Sequence, residues 1–426
     1  MTRTVRHFSL HRIAGARPGL GDDRAKLDST ELRVVADVDA GVLPVMQAEE
    51  VVIREYAQQE HWPHRWVTLF VLEDLQPLIR QLRVGAASAG LSPCGPALGY
   101  DGGKEHRSTE HRVGIKHRLS DGWLTDGHSL SQESAEALDH RPVVNVYDLA
   151  NLTGCNVFAN RRVMVELGYW DDPLALRGLL AHEHAHPLAE NETARASRRL
   201  KLELQDFGFR IEGNPLSKIE NRKLVVSAAE PSKIVPVLTS LAEKLCLYAP
   251  REIFANEVTI QSGFADGLLH LNLRNVNNAG RSIAGRDILA QQLRQEVAQG
   301  NLTPEAADLI LLVGDLNGYM DLAMEVAPFD RAGRTAGASP LVTALQSAVF
   351  PRLDRLVPQA FADLRDRYVD LRTDLMEPEL LTWGQGVLDI LVRVLAEKGQ
   401  KIAYRLSQTA TVKAIEDRPT TVDSER

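Results

Sequence analysis

Hydrophobic positions along the chain fall into distinct textures. Over 46–60 and 67–84 apolar residues recur at helical spacing, in the second stretch as Leu69, Leu72, Leu75, Leu78, Ile79 and Leu82, with Pro77 expected to kink the helix. Between 142 and 167 the texture changes to short β-branched runs, Val143-Val144-Asn145-Val146-Tyr147, Asn156-Val157-Phe158 and Arg162-Val163-Met164-Val165, which predict a small sheet. Asp171-Asp172-Pro173 then supplies a cap and a first-turn proline for a helix over 174–186, which contains no β-branched residue and which Pro187 should bend or end. Further helices are predicted over 192–205, 234–248 and 250–264, and beyond Gly280 over 287–299, 304–326, 341–374 and 377–406.

The remaining segments lack a period. Residues 1–40 read as a poorly ordered N-terminus, 85–140 as a long irregular connection rich in Gly, Ser, Asp and His, and 407–426 as a flexible polar tail. The organisation is therefore α+β and mostly helical: a helical segment with a His/Gly-rich loop over 41–140, a mixed unit with a small sheet over 141–280, and a helical region over 281–406.

Composition narrows the partners. The 426 residues are 44% hydrophobic but only 5% aromatic, so aliphatic helices must fill the interior. A net charge of -8 offers no overall attraction to phosphate backbones or anionic lipid, which argues against nucleic acid and membrane. The longest apolar runs, such as 309–313, fall far short of a bilayer span, and 1–20 lacks the apolar centre of a secretory signal. Cys94, Cys155 and Cys246 are odd in number and show no Cys-x-x-Cys spacing, which fits a reducing, cytoplasmic setting and argues against a disulfide framework or a cysteine-based zinc ribbon. Oligomeric state is left open.

The chemistry is carried by Ala181-His182-Glu183-His184-Ala185-His186, which contains His-Glu-x-x-His. On a helix, His182 and His186 stand one turn apart and can converge on one Zn2+, while Glu183, about 100° round, is placed to act as general base toward a water. His184 lies on the far side of the wheel and is expected to be a buried histidine facing away from the metal. A strand would instead put all three histidines on one face, but the Asp-Pro start and the Leu- and Ala-rich approach favour the helix.

A third ligand decides between registers. About twenty residues past His186 stand Gln205 and Asp206, with Glu203 slightly early, so the thermolysin-like spacing fails; the metzincin spacing would fall on Glu192, with Ala189 where glycine is required. Pro250-Arg251-Glu252-Ile253-Phe254-Ala255-Asn256-Glu257 fits better. In a helix starting near Pro250, Glu252 and Asn256 share a face, Ala255 permits a close approach to the first helix, and Asn256 can bond a ligand histidine. Two histidines and a glutamate leave a fourth position for water. Glu192 and Glu257 are the fallback ligands.

At these residues the chain resembles the gluzincin zinc metallopeptidases, particularly the branch in which His-Glu-x-x-His is followed several dozen residues later by Glu-x-x-Ala-Asp or Glu-x-x-Ala-Asn. The resemblance covers about 145–272, including Leu179-Leu180-Ala181-His182-Glu183 and Leu268-Leu269-His270-Leu271-Asn272. It implies a zincin-like catalytic core over 141–280 with a small sheet over the active-site helix, metal ligands His182, His186 and Glu252, and Glu183 as general base. An edge strand near 156–165 would bind an extended peptide or protein substrate by main-chain pairing. His270, just past the presumed ligand helix, is the candidate transition-state stabiliser. Pro187, directly after the second histidine, and the missing transmembrane helices depart from the well-known relatives.

Other features stay bland. His106, His111, His117 and His128 are irregularly spaced in a polar loop and read as solvated, and Gly102-Gly103-Lys104 lacks the flanking residues of a phosphate loop. The competing functional readings are a zinc hydrolase of non-peptide amides and a metal-binding or metal-free helical interaction protein.

Overall fold

The computed structural model describes residues 6–14, 29–36, 42–58, 62–73, 141–148, 151–209 and 231–408. The His/Gly-rich 85–140 segment and most of the 407–426 tail lie outside them. The described residues are mostly helical and include a five-stranded mixed sheet in the order β1-β2-β3-β5-β4. Its strands are β1 (Arg6–Ala14), β2 (Ser29–Ala36), β3 (Trp66–Leu72), β4 (Val143–Asp148) and β5 (Asn151–Asn160). Strands β2, β3 and β5 run parallel, and β1 and β4 close the two edges antiparallel.

The N-terminus expected to be poorly ordered supplies two strands of the sheet. The helix expected over 67–84 begins as the central strand β3, in which Val67, Leu69, Phe70 and Val71 are all buried. A parallel strand covered on both faces shows an unbroken apolar run rather than alternation, and such a run fits a helical template just as well. Phe70 stacks on Phe158 across the β3–β5 pair with ring centroids 4.7 Å apart.

Helix α1 (Val42–Ala57) and α2 (Arg161–Glu166) flank the sheet, and α3 (Pro173–Leu188) packs against its edge strand β4. The run Arg162 to Val165, expected as strand, is helix α2, capped by the Asn160 side chain on the Val163 N–H. Asp172 caps α3 by accepting from the Ala175 N–H at 3.1 Å, with Pro173 in the first turn as anticipated. The helix runs through Pro187 to Leu188. After α4 (Glu192–Ser197) the chain forms β6 (Leu200–Phe209), so the helix expected to 205 ends early where Leu200, Leu202 and Leu204 alternate with Lys201 and Glu203.

A helical run then continues through α5 (Pro231–Glu243), a π-helical turn at Lys244–Tyr248 and α6 (Ala249–Thr259) into a second π-turn at Ile260–Phe264, where Gly263, at a non-helical φ of 94°, kinks the chain before the separate 34-residue α7 (Ala265–Ala298). Pro250 stands in the first turn of α6, as expected, and the boundary placed at 280 falls inside α7. Helix α3 packs on α7 backbone to backbone: a Cβ on Gly178 would lie 2.3 Å from the Gly267 carbonyl oxygen.

The last helices are α8 (Pro304–Tyr319), α9 (Ala323–Arg331), α10 (Thr335–Ala348), α11 (Leu356–Val369) and α12 (Glu377–Ala396). Gly399, at φ 73°, takes the left-handed conformation that ends this region, and β7 (Gln400–Gln408) pairs antiparallel with β6. The helix expected to 406 is thus a strand at its end. This pairing ties the C-terminal region to the sequence immediately after α4.

Candidate metal centre

Helix α3 presents His182 and His186 toward α6, which carries Glu252. The small Ala255, fully buried, lies where α6 meets α3. His182 Nε2 lies 3.2 Å and His186 Nε2 3.8 Å from Glu252 Oε2, and the three donor atoms all fall within 4.8 Å of one another. The two imidazole rings stand 4.7 Å apart at 76°. These three residues, four and sixty-six positions apart in sequence, are brought together on one side of α3.

Asn256 fixes the protonation of the first histidine. Its Nδ2 donates to the Met324 carbonyl at 3.2 Å, so its Oδ1 is the atom that meets His182 Nδ1 at 2.7 Å, and Nδ1 must be the donor. The other nitrogen, Nε2, then carries a lone pair in the neutral ring and faces a carboxylate oxygen. Two electron-rich atoms at 3.2 Å repel unless a cation or a proton lies between them. The donor set of two imidazoles and one carboxylate suits Zn2+, and the residues present fit the ion on this ground.

The electrostatics follow the same logic. Burial alone would lower the His182 pKa, but the hydrogen bond and charge of Glu252 outweigh it and raise it. His186 has no such donor contact, and burial holds its pKa down at about 3. Burial would raise the Glu252 carboxyl, yet the two imidazoles together hold it far below the usual range. Glu183 is pushed up, chiefly by burial.

Glu183 is held from the sheet. The Asn145 backbone N–H donates to Glu183 Oε2 and the Asn145 side-chain amide donates to the Glu183 carbonyl, each at 3.2 Å. That carbonyl is available because Pro187, four residues later, has no N–H to offer it. The tyrosine of α1 helps set the same turn, Tyr56 Oη donating to the Ala181 carbonyl at 2.9 Å.

No family model, curated protein or solved structure matches this chain.

The centre opens on a cleft of about 400 Å³ lined by Arg141, Val143, His182, Glu183 and Glu252 on one side and by Asn272, Met324 and Glu325 on the other. Of these, Met324 and Glu325 come from the region expected to be a separate helical segment over 281–406. Asn272 donates to the Glu325 carbonyl at 3.1 Å and Asn275 to Glu325 Oε1 at 2.8 Å, while Glu325 Oε2 is buried without a hydrogen-bond partner. Burial, reinforced by Asp321, pushes the Glu325 pKa up to about 8.

Three sequence candidates fall elsewhere. His270 is exposed on α7 and its charge acts on Asp172 at the start of α3, away from the cleft, so it is not placed to stabilise a transition state there. Glu192 is exposed in the first turn of α4, and Glu257 is held by Arg331 at 3.0 Å. The strand expected at the edge near 156–165 is interior β5 followed by helix α2, and the edge beside the centre is β4. Arg141, Asn145 and Glu325 were missed by the sequence reading. Of these only Asn145 left a signal, as a lone amide in an apolar strand.

Proposed function

We propose that the protein is a zinc-dependent metallopeptidase of the gluzincin type, with His182, His186 and Glu252 holding the metal and Glu183 as general base. The observation that carries this reading is the pair of electron-rich atoms, His182 Nε2 and Glu252 Oε2, that Asn256 fixes face to face beside His186 and Glu183. When bound, zinc acidifies a water and polarises a carbonyl. Glu183, with its pKa raised, accepts a proton from water and delivers it to the leaving amine. Arg141 places positive charge in the cleft within reach of Glu183 and Glu252, where charge develops on the substrate carbonyl oxygen.

A peptide is the favoured substrate because of β4. Asn145 sends its N–H outward to Glu183 rather than to β5, and strand alternation puts the main-chain groups of Val143 and Tyr147 on that same outer edge. An extended chain pairing there would pass directly over the centre. No described helix is long and apolar enough to cross a membrane.

Metal analysis together with hydrolysis of an unstructured fluorogenic peptide library tests the reading. His182→Ala and His186→Ala should each remove one equivalent of zinc and all turnover, with refilling by zinc restoring chelator-treated wild type. Full metal content in both variants overturns the ligand set, and metal loss without any wild-type turnover leaves a metal-binding protein in place of a peptidase.

A further inference from the structure

Helix α3 carries a third histidine in the motif, and its surroundings are built like those of the first two. His184 points to the side of α3 opposite the cleft and is wholly buried, as are Glu49 of α1 and Cys155 of β5, while His64, just before β3, is 2% exposed. The donor atoms of His64, Cys155 and His184 lie within 4.8 Å of one another. We propose that these three residues hold a second cation, a thiophilic ion such as zinc, locked between the sheet and α3.

The hydrogen bonds assign the donor nitrogens. His64 Nδ1 meets the Leu152 carbonyl at 2.7 Å, and a carbonyl only accepts, so Nδ1 is the N–H and Nε2 carries the lone pair of the neutral ring. His184 Nε2 meets Glu49 Oε1 at 2.7 Å, so Nε2 is the N–H there. Its Nδ1 is buried with no hydrogen-bond partner. A metal-binding imidazole characteristically donates its other ring N–H to a backbone carbonyl or a carboxylate, and here one histidine does each. An orphaned ring nitrogen at zero exposure is costly whether protonated or not, and a cation accepting its lone pair removes that cost.

Cys155 supplies the sulfur. Burial, with the charge of Glu49 adding to it, holds the thiol protonated when no cation is present. Uptake therefore breaks the S–H bond, forms a metal–sulfur bond and releases one proton to solvent. Trp62 packs edge-on against both rings, 4.8 Å from His64 and 5.4 Å from His184, and closes the group from water. The ion would join α1, the approach to β3, β5 and α3, which makes its role structural.

Sulfur distinguishes this group from the cleft, whose ligands are nitrogen and oxygen only. Cobalt(II) loading of apo-protein should give a thiolate-to-cobalt charge-transfer band, and X-ray absorption of the zinc form a scatterer at about 2.3 Å. Both signals should persist in His182→Ala and in Cys94→Ser, and vanish in Cys155→Ser together with one equivalent of zinc. Wild-type protein that binds metal through nitrogen and oxygen alone overturns the proposal, and so does a sulfur signal that survives in Cys155→Ser. Should Cys155→Ser fail to fold, the wild-type and His182→Ala spectra still decide. Loss of the cleft metal in His182→Ala leaves the sulfur signal untouched, so the two metal assignments stand or fall separately.

Discussion

Asn145 grips Glu183 at both ends, its main chain on the carboxylate and its side chain on the carbonyl. Strand β4 thereby sets where the carboxylate of α3 points. Replacing Asn145 by Ala keeps the first bond and removes the second, stranding a helix carbonyl that Pro187 cannot serve. Denaturant unfolding should show a loss of about 1–3 kcal/mol. Peptide turnover should fall through kcat more than KM, and an unchanged kcat would show that the clamp does not position the base.

Glu183→Gln retains the Asn145 contacts in shape but cannot carry a proton. Zinc content should match wild type, and turnover should drop by about 100- to 10,000-fold. Metal loss alongside activity loss would reassign Glu183 as a ligand.

The three acidic candidates separate by what they touch. Glu252→Ala should abolish tight zinc binding in the cleft, whereas Glu192→Ala, an exposed position, should change neither metal affinity nor stability. Glu257→Ala should leave zinc in place and lower stability by about 1–3 kcal/mol, because Arg331, which also donates to the Val369 carbonyl at 2.9 Å, loses its carboxylate partner. Competition with a chromogenic chelator and thermal melts would rank them.

Asn256→Ala removes the acceptor that commits His182 Nδ1 as donor. Zinc affinity should weaken about 10- to 100-fold with the fold intact. Equal affinity in chelator competition would mean that His182 chooses its tautomer without help.

Glu325 gives a pH signature. Its pKa rises from 4.5 to about 8 on folding, through burial and the nearby Asp321, against Lys244, His182 and the Asn275 amide. The folded state then binds the proton more tightly than the unfolded chain, so this group's contribution falls as pH rises from 4.5 to about 8, by up to about 1.4 kcal/mol per unit. Glu325→Gln should gain stability over wild type across that window and plateau above it. A constant difference at all pH values would show that the carboxyl ionises freely.

The convergence of His182, His186 and Glu252 was legible because its geometry is local in one half and small-residue spaced in the other: the His-Glu-x-x-His turn fixes two rings, and Glu252-x-x-Ala255-Asn256 supplies an acid, a close approach and an amide on one helix. The α3 cap and first-turn proline were equally plain. The sheet was only half visible, since β3 is apolar on both faces and β7 hides its alternation, Ile402, Tyr404 and Leu406, behind a long helix. His270 misled because adjacency in sequence to a ligand helix says nothing of direction: the second π-turn and the start of α7 lie between them, and the residue emerges on the solvent side. Arg141 and Glu325 belong to segments that meet the centre only through tertiary packing, which no period in the sequence encodes.

The cleft takes its lining from stretches near 141, 182, 252, 272 and 325, so a ribosome-bound chain has no finished pocket until synthesis has passed the last of them. If the proposed peptidase activity resides in this cleft, it is assembled only once all five stretches are in place. No shorter fragment that ends before residue 325 should be competent.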